Sequence, residues 1–160
     1  MAQRAIHLTR RRTLLASMLL APVFGVKPAT AQTAPVQTQE ANAAGVVAEL
    51  MECKREDGVL TVRVRFRNTG DKAAELHLVE NRNYDAYYVT AGTKKYFVLR
   101  DTEKNPLAPA ASGFGSLSAN LAKGDLYHWW AKYPAPPADV KKISYFTPLT
   151  PPFDNVPIKD

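Results

Sequence analysis

Apolar and polar side chains alternate strictly along residues 60–67, and this alternation predicts a β-strand. The apolar members of the pattern are Leu60, Val62, Val64 and Phe66. The polar members are Thr61, Arg63, Arg65 and Arg67. Because successive side chains of a strand point to opposite faces, the first set is expected to cover a hydrophobic core and the second to lie in water.

Short β patterns separated by turn signals continue through the second half of the chain. Apolar or aromatic runs occupy residues 73–80, 87–90, 96–100, 115–121, 126–133, 140–146 and 153–158. Gly, Asn, Asp and Pro separate the runs, and the spacing of about eight to twelve residues is typical of sandwiches and barrels. No segment sustains a helical period. The sequence therefore predicts an all-β domain over residues 46–160.

Two stretches resemble small immunoglobulin-like modules of exported bacterial proteins. Residues 60–76, LTVRVRFRNTGDKAAEL, place an Asn-Thr-Gly turn after an alternating strand, and residues 121–145, LAKGDLYHWWAKYPAPPADVKKISY, place a Gly turn before a long aromatic strand ending in Pro. The resemblance implies an immunoglobulin-like antiparallel β-sandwich of about 7–9 strands. It also implies an adhesion, docking or accessory role. The Cys…Trp…Cys pattern of antibody-type domains is absent, so the likeness concerns architecture alone.

The N-terminal residues 1–31 have the three parts of a bacterial secretory signal. A basic segment contains Arg10, Arg11 and Arg12, an apolar segment spans residues 13–26, and a small-x-small cleavage site ends at Ala31. We expect cleavage after Ala31 and a periplasmic or secreted product. The Arg pair before Leu14 also fits a twin-arginine signal, so the Sec and twin-arginine routes both stay open. No transmembrane segment is expected after cleavage.

The leader accounts for nearly all of the positive charge, which removes nucleic acid from the expected partners. It contains five of the 21 Lys and Arg residues and none of the 15 Asp and Glu residues, so the remainder has 16 basic and 15 acidic side chains. A phosphate-binding surface needs a basic excess gathered on one face. Residues 32–45 lack aromatic side chains and carry almost no charge, so we expect a flexible tether there.

Few residues in the expected product carry chemistry. Cys53 is the only cysteine, so an internal disulfide is excluded, and the thiol is buried, free or paired with another chain. The histidines His77 and His128 lack metal-ligand spacing, and no Gly-x-Ser-x-Gly elbow is present. We therefore expect no catalytic residue, no metal and no cofactor.

Aromatic side chains provide the richest signal for a binding surface. Trp129 and Trp130 are adjacent on the strand predicted for residues 126–133, so they must point to opposite faces. Trp129 shares its face with apolar neighbours and is assigned to the core, whereas Trp130 shares its face with His128 and Lys132 and is assigned to the surface. The expected binding patch consists of Trp130, His128, Tyr84, Tyr87 and Tyr88.

These observations predict a non-catalytic binding or accessory module whose partner is a protein of the cell envelope. The alternative is a carbohydrate-binding module that uses the exposed aromatic residues to hold a glycan. An enzyme of unknown class is the third possibility.

Overall fold

The computed structural model describes residues 34–160, so the predicted secretory signal lies outside the described residues. The described chain contains ten β-strands and one short 3₁₀ turn at Tyr84–Ala86. The strands are β1 (Gln37–Glu40), β2 (Val46–Glu56), β3 (Val59–Asn68), β4 (Ala74–Val79), β5 (Tyr88–Ala91), β6 (Lys94–Phe97), β7 (Leu117–Leu121), β8 (Leu126–Pro134), β9 (Lys142–Phe146) and β10 (Phe153–Pro157). The prediction of an all-β fold is confirmed.

Antiparallel pairing joins the strands into three sheets. One four-stranded sheet has the order β1-β2-β3-β8, and we call it the first sheet. A second four-stranded sheet has the order β10-β9-β5-β6, and a two-stranded sheet pairs β4 with β7. Within the second sheet, β5 and β6 form a hairpin whose turn lies between residues 91 and 94. The arrangement is compatible with a β-sandwich, since the two larger sheets share one core.

The alternating pattern of residues 60–67 places its apolar set in that core, as predicted. Leu60, Val62, Val64 and Phe66 are all buried. They join aromatic side chains from both larger sheets, because Tyr133 of β8 meets Tyr145 of β9 edge to face with ring centroids 6.3 Å apart. Cys53 is buried in the same cluster, and its burial raises the pKa of the thiol to about 12. The thiolate, which is the reactive form, is therefore suppressed at neutral pH.

The prediction of a flexible tether over residues 32–45 is wrong for residues 37–40, which form a strand. Gln37–Glu40 form β1, which pairs antiparallel with β2 from Gln37 opposite Leu50 to Glu40 opposite Val47. The side-chain amides of Gln37 and Gln39 donate to the carbonyl oxygens of Asp154 and Pro152. An edge strand needs backbone partners more than apolar side chains, which is why a polar segment can be ordered here.

The C-terminal segment is fastened to β2 and so reaches the first sheet. The amide of Lys159 donates to the carbonyl of Cys53, and the amide of Arg55 donates to the carbonyl of Lys159. The Arg55 Nε also donates a hydrogen bond of 2.7 Å to the Asp160 Oδ1. These bonds hold Lys159 beside the outer face of the sheet.

Candidate functional site

The outer face of the first sheet carries the side chain that sequence patterns favoured most, Trp130. The antiparallel register of β3 and β8 sets Arg63 directly opposite Trp130 and Arg65 directly opposite His128. These pairs share a face because both strands turn their apolar residues inward. We call the surface formed by Arg63, Arg65, His128 and Trp130 the Trp130 face.

The adjacent tryptophans divide as predicted. Trp129 is 1% exposed and stacks on Tyr87, with ring centroids 4.2 Å apart. Trp130 is 39% exposed, which is high for a side chain of its size. The facing assignment of β8 is therefore confirmed, and Trp130 is available to contact another molecule.

The Trp130 face encloses a shallow depression of about 450 Å³. Its outward-facing lining comes from β2, β3, β8 and the C-terminal segment, and consists of Met51, Glu52, Arg63, Arg65, His128, Trp130 and Lys159. An aromatic ring, a thioether and charged side chains of both signs therefore border one concavity. Sequence patterns did not assign Met51, Glu52 or Lys159 to this site.

The missed residues reach the site through two irregularities. The register of β2 against β3 shifts between Leu50 and Glu52, which marks a β-bulge next to Met51. Lys159 arrives through a parallel bridge with Lys54, far away in sequence. Neither irregularity leaves a signal in the alternation of apolar and polar positions, because both depend on pairing between distant segments.

Ion pairs on the outer face of the first sheet join carboxylates of β2 to arginines of β3. Glu49 and Glu52 lie on β2, whereas Arg63, Arg65 and Arg67 lie on β3. Arg63 pairs with Glu52 at 2.8 Å, and Arg65 and Arg67 both reach Glu49, at 2.6 and 2.5 Å. The β2 carboxylates thus neutralise the charge of the β3 arginines on the side away from β8. β8 itself carries no acidic residue.

Glu49 is the buried member of this ion-pair group. Its side chain is 5% exposed although it points to the outer face, because the two arginines cover it. Burial raises the pKa of Glu49. The hydrogen bonds from Arg67 and Arg65 and their positive charges lower the pKa by more than burial raises it, so the pKa lies below its ordinary value. The carboxylate is therefore charged at neutral pH.

The expectation that Arg65 lies in water is wrong. Its side chain is only 12% exposed, whereas that of Arg63 is 64% exposed. The reason is the register: Arg65 lies opposite Glu49 on β2 and His128 on β8, so neighbours flank it on both sides and its Nε donates to the Glu49 carboxylate.

Alanine substitution should separate these two arginines. Arg65→Ala is expected to destabilise the fold by about 1 to 3 kcal/mol, because it removes a charge-assisted hydrogen bond to a buried carboxylate. Arg63→Ala is expected to cost about 0.5 kcal/mol or less, because exposed ion pairs contribute little. Urea denaturation of both variants measures the difference, and equal midpoints would show that Glu49 does not depend on Arg65.

The structure does not place all three tyrosines of the predicted patch on the surface. Tyr84 is buried, and its hydroxyl donates to the Pro109 carbonyl and accepts from the Ala111 amide. Tyr87 is also buried, and its hydroxyl donates to the Leu78 carbonyl. The 3₁₀ turn at Tyr84–Ala86 directs both rings into the molecule, where hydrogen bonds satisfy their hydroxyl groups. The assignment of Tyr84 and Tyr87 to an exposed patch is therefore wrong.

Tyr88 lies on the second sheet rather than beside Trp130. Its ring stacks on Phe146 with centroids 4.6 Å apart, and the Lys95 ammonium lies 4.4 Å from the ring centre. The structure therefore brings only His128 and Trp130 of the predicted set together. Tyr88 is half-buried within a separate cluster on β5 and β9.

Residues 34–160 contain no group of three or more His, Cys, Asp or Glu side chains arranged to hold a metal ion. In the same part of the chain, no helix has the length and apolar character needed to cross a membrane. No protein-family model matches this sequence, and no curated protein or solved structure does so either.

Proposed function

We propose that this protein is a non-catalytic binding module and that the Trp130 face is where it contacts a protein of the cell envelope. The supporting observation is the exposed Trp130 in a depression bordered by Met51, Glu52 and Arg63. Trp and Arg are the residue types that most often dominate the energy of protein interfaces. Met adds an adaptable apolar contact at such surfaces.

A protein partner is favoured over a glycan because the Trp130 face has one aromatic platform. The carbohydrate-binding alternative required tyrosines beside Trp130, and Tyr84 and Tyr87 are buried. Charged side chains around a single large aromatic residue fit the centre and rim of a protein interface. Titration with cell-wall glycans discriminates the two functions, because saturable binding that Trp130→Ala abolishes would favour the glycan.

We further propose that the domain is immunoglobulin-like and acts outside the cytoplasm. Antiparallel sheets that share one core and the likeness of residues 60–76 and 121–145 to exported modules support the architecture. The basic, apolar and small-residue segments of residues 1–31 support export through the Sec or twin-arginine route.

Export predicts a defined N-terminus. The mature protein isolated from the cell envelope is expected to begin at Gln32 or within a few residues of it, because signal peptidase cleaves after a small-x-small site. N-terminal sequencing checks this result. Protein that begins at Met1 or Ala2 would contradict both cleavage and the proposed localisation.

The binding function predicts a selective effect of Trp130→Ala. We expect the substitution to cost about 1 kcal/mol of stability or less, because the side chain is partly in water. Partner binding should weaken about thirtyfold, the effect of losing an interface residue worth about 2 kcal/mol. The measurement compares envelope proteins captured by immobilised wild type and variant, followed by titration of the captured species.

A matched control comes from the second sheet. Phe97 on β6 is 46% exposed, so Phe97→Ala removes a comparably exposed aromatic side chain away from the Trp130 face. Proteins lost with Trp130→Ala but kept with Phe97→Ala support the proposal. Equal losses in both variants would mean that the capture is not specific to this face.

A further inference from the structure

Strand β8 forms an edge of the first sheet, and part of that edge is open. Within residues 34–160 its one strand neighbour is β3, and the pairing runs from Val59 opposite Pro134 to Arg67 opposite Leu126 without a register shift. Backbone groups of a regular strand point alternately toward and away from the neighbour. Half of the β8 backbone therefore points away from β3.

Hydrogen bonds at the ends of β8 show which residues point their backbone groups away from β3. The carbonyl of Asp125 accepts from the amide of Asn68 on β3, so odd-numbered residues point toward β3. Lys132 points away, because its amide donates to the Leu107 carbonyl and its carbonyl accepts from the Leu99 amide. The loop residues that follow β6 thus cover the edge at Lys132.

The same alternation leaves Leu126, His128 and Trp130 with outward backbone groups. No hydrogen bond from the described residues reaches these outward N–H and C=O groups. The side chains of Leu126 and Trp130 are also exposed and lie on the outer face of the sheet. Natural proteins usually protect such edges with prolines, bulges or covering loops. Here the loop protects Lys132 and stops short of Trp130.

We propose that an extended segment of the partner protein pairs with this edge as a fifth strand, antiparallel to β8 from Leu126 to Trp130. The inference rests on the proposed binding function and specifies how the partner is held. Backbone hydrogen bonds would supply affinity, and alternate side chains of the partner would lie beside Leu126, His128 and Trp130. Apolar residues fit beside Leu126 and Trp130.

The charges on the first sheet favour an acidic partner residue beside His128, between the two apolar partner residues. The carboxylates that pair with the β3 arginines, Glu49 and Glu52, are on β2, two strands away from the open edge, and β8 carries His128 and Lys132. Within residues 34–160 Lys132 makes no ion pair. A second copy of this chain is a poorer occupant, because an antiparallel β8 pair centred on this stretch would place His128 opposite His128.

A short peptide tests the inference directly. The probe is Val-Thr-Glu-Thr-Val, acetylated and amidated, with Gly-Ser flanks, titrated into the full chain while backbone amide resonances are followed by NMR. We expect saturable shifts at Leu126, His128 and Trp130. Replacing the central Glu with Lys is expected to weaken binding by about threefold or more, since the edge carries basic side chains.

Selective N-methylation distinguishes edge pairing from contact with the face. In the proposed register the Val and Glu amides of the peptide point to β8, and the Thr amides point away from it. Methylation of the Val and Glu amides should weaken binding about tenfold or more, because it removes interfacial hydrogen bonds. Methylation of the Thr amides should have little effect. This pattern supports the proposal without any change to the protein.

Three results would overturn it. Binding that is indifferent to the methylated position but lost in Trp130→Ala would place the peptide on the Trp130 face and leave the binding function standing. An absence of shifts at millimolar peptide would remove the edge site, while the capture experiment judges the binding function separately. A dimer whose β8 amides are protected from exchange would assign the edge to a second copy.

Discussion

Trp129→Ala is expected to destabilise the domain by about 3 to 5 kcal/mol, the range for truncating a large buried aromatic residue. Trp129 is almost completely buried and stacks on Tyr87, so its removal opens a cavity beneath both larger sheets. Since small domains are stable by only about 5 to 15 kcal/mol, this loss would remove a large fraction of the stability of the protein.

Urea denaturation followed by circular dichroism measures this loss. Trp129→Phe is a useful second variant, because the indole Nε1 is buried without a hydrogen-bond partner among the described residues. Phe keeps much of the apolar contact and removes the unsatisfied donor, so its cost should be clearly smaller than that of Ala. Trp130→Ala is the positional control. If Trp130→Ala cost as much as Trp129→Ala, the assignment of the two faces would be contradicted.

The facing of the side chains near Trp129 could be predicted because local alternation determines it. Residues 60–67 and 126–133 each have one apolar face, and a slip of one residue would bury charged side chains. The facing of Trp129 and Trp130 follows from the same rule and needs no tertiary information. This is why the part of the site on β8 was assigned correctly.

The strands that the pattern missed depend on partners distant in sequence. β1 is polar and is ordered by backbone bonds to β2 and by glutamine bonds to the segment around β10. β2 lacks simple alternation for two reasons: its register shifts after Leu50, and two arginines cover Glu49, which lies between the buried residues Ala48 and Leu50. Sequence spacing carries no information about either pairing.

The predicted aromatic patch failed for a related reason. Tyr can satisfy its hydroxyl group inside a protein, so clustering of tyrosines in sequence does not distinguish a surface from a core. Tyr84 and Tyr87 both find carbonyl acceptors in the interior. Arg65 shows the opposite effect, because a charged side chain that alternation assigns to water is covered by its pairing with Glu49. In each case, contacts that strand alternation does not encode decide whether the side chain is buried.

Glu49→Gln should be the most destabilising charge substitution on the first sheet. It removes the shared partner of Arg65 and Arg67 while keeping the shape of the side chain. Breaking a buried ion pair costs about 3 to 5 kcal/mol, and the partial exposure of Arg67 reduces this to about 2 to 4 kcal/mol. Glu52→Gln is the matched control, because its pair with Arg63 lies largely in water and is expected to contribute about 0.5 kcal/mol or less.

The dependence of stability on pH gives an independent test of Glu49. Because its pKa is lower in the folded protein than in the unfolded chain, its stabilisation is fully present above the ordinary value of 4.5 and is lost as the pH falls through the folded pKa. The difference in unfolding free energy between wild type and Glu49→Gln should therefore be constant near neutral pH and shrink below about 4.5.

Urea denaturation of the wild type and the variant from neutral to acidic pH measures this convergence. Glu49→Gln should keep some sensitivity to acid, because hydrogen bonds from Arg55 and Lys141 also lower the pKa of Asp160. The informative quantity is thus the gap between the two curves rather than the slope of either one. A gap that stayed constant down to the lowest pH at which the protein folds would show that the cost of Glu49→Gln arises from packing. A gap that closes would assign it to the charge that Arg65 and Arg67 share.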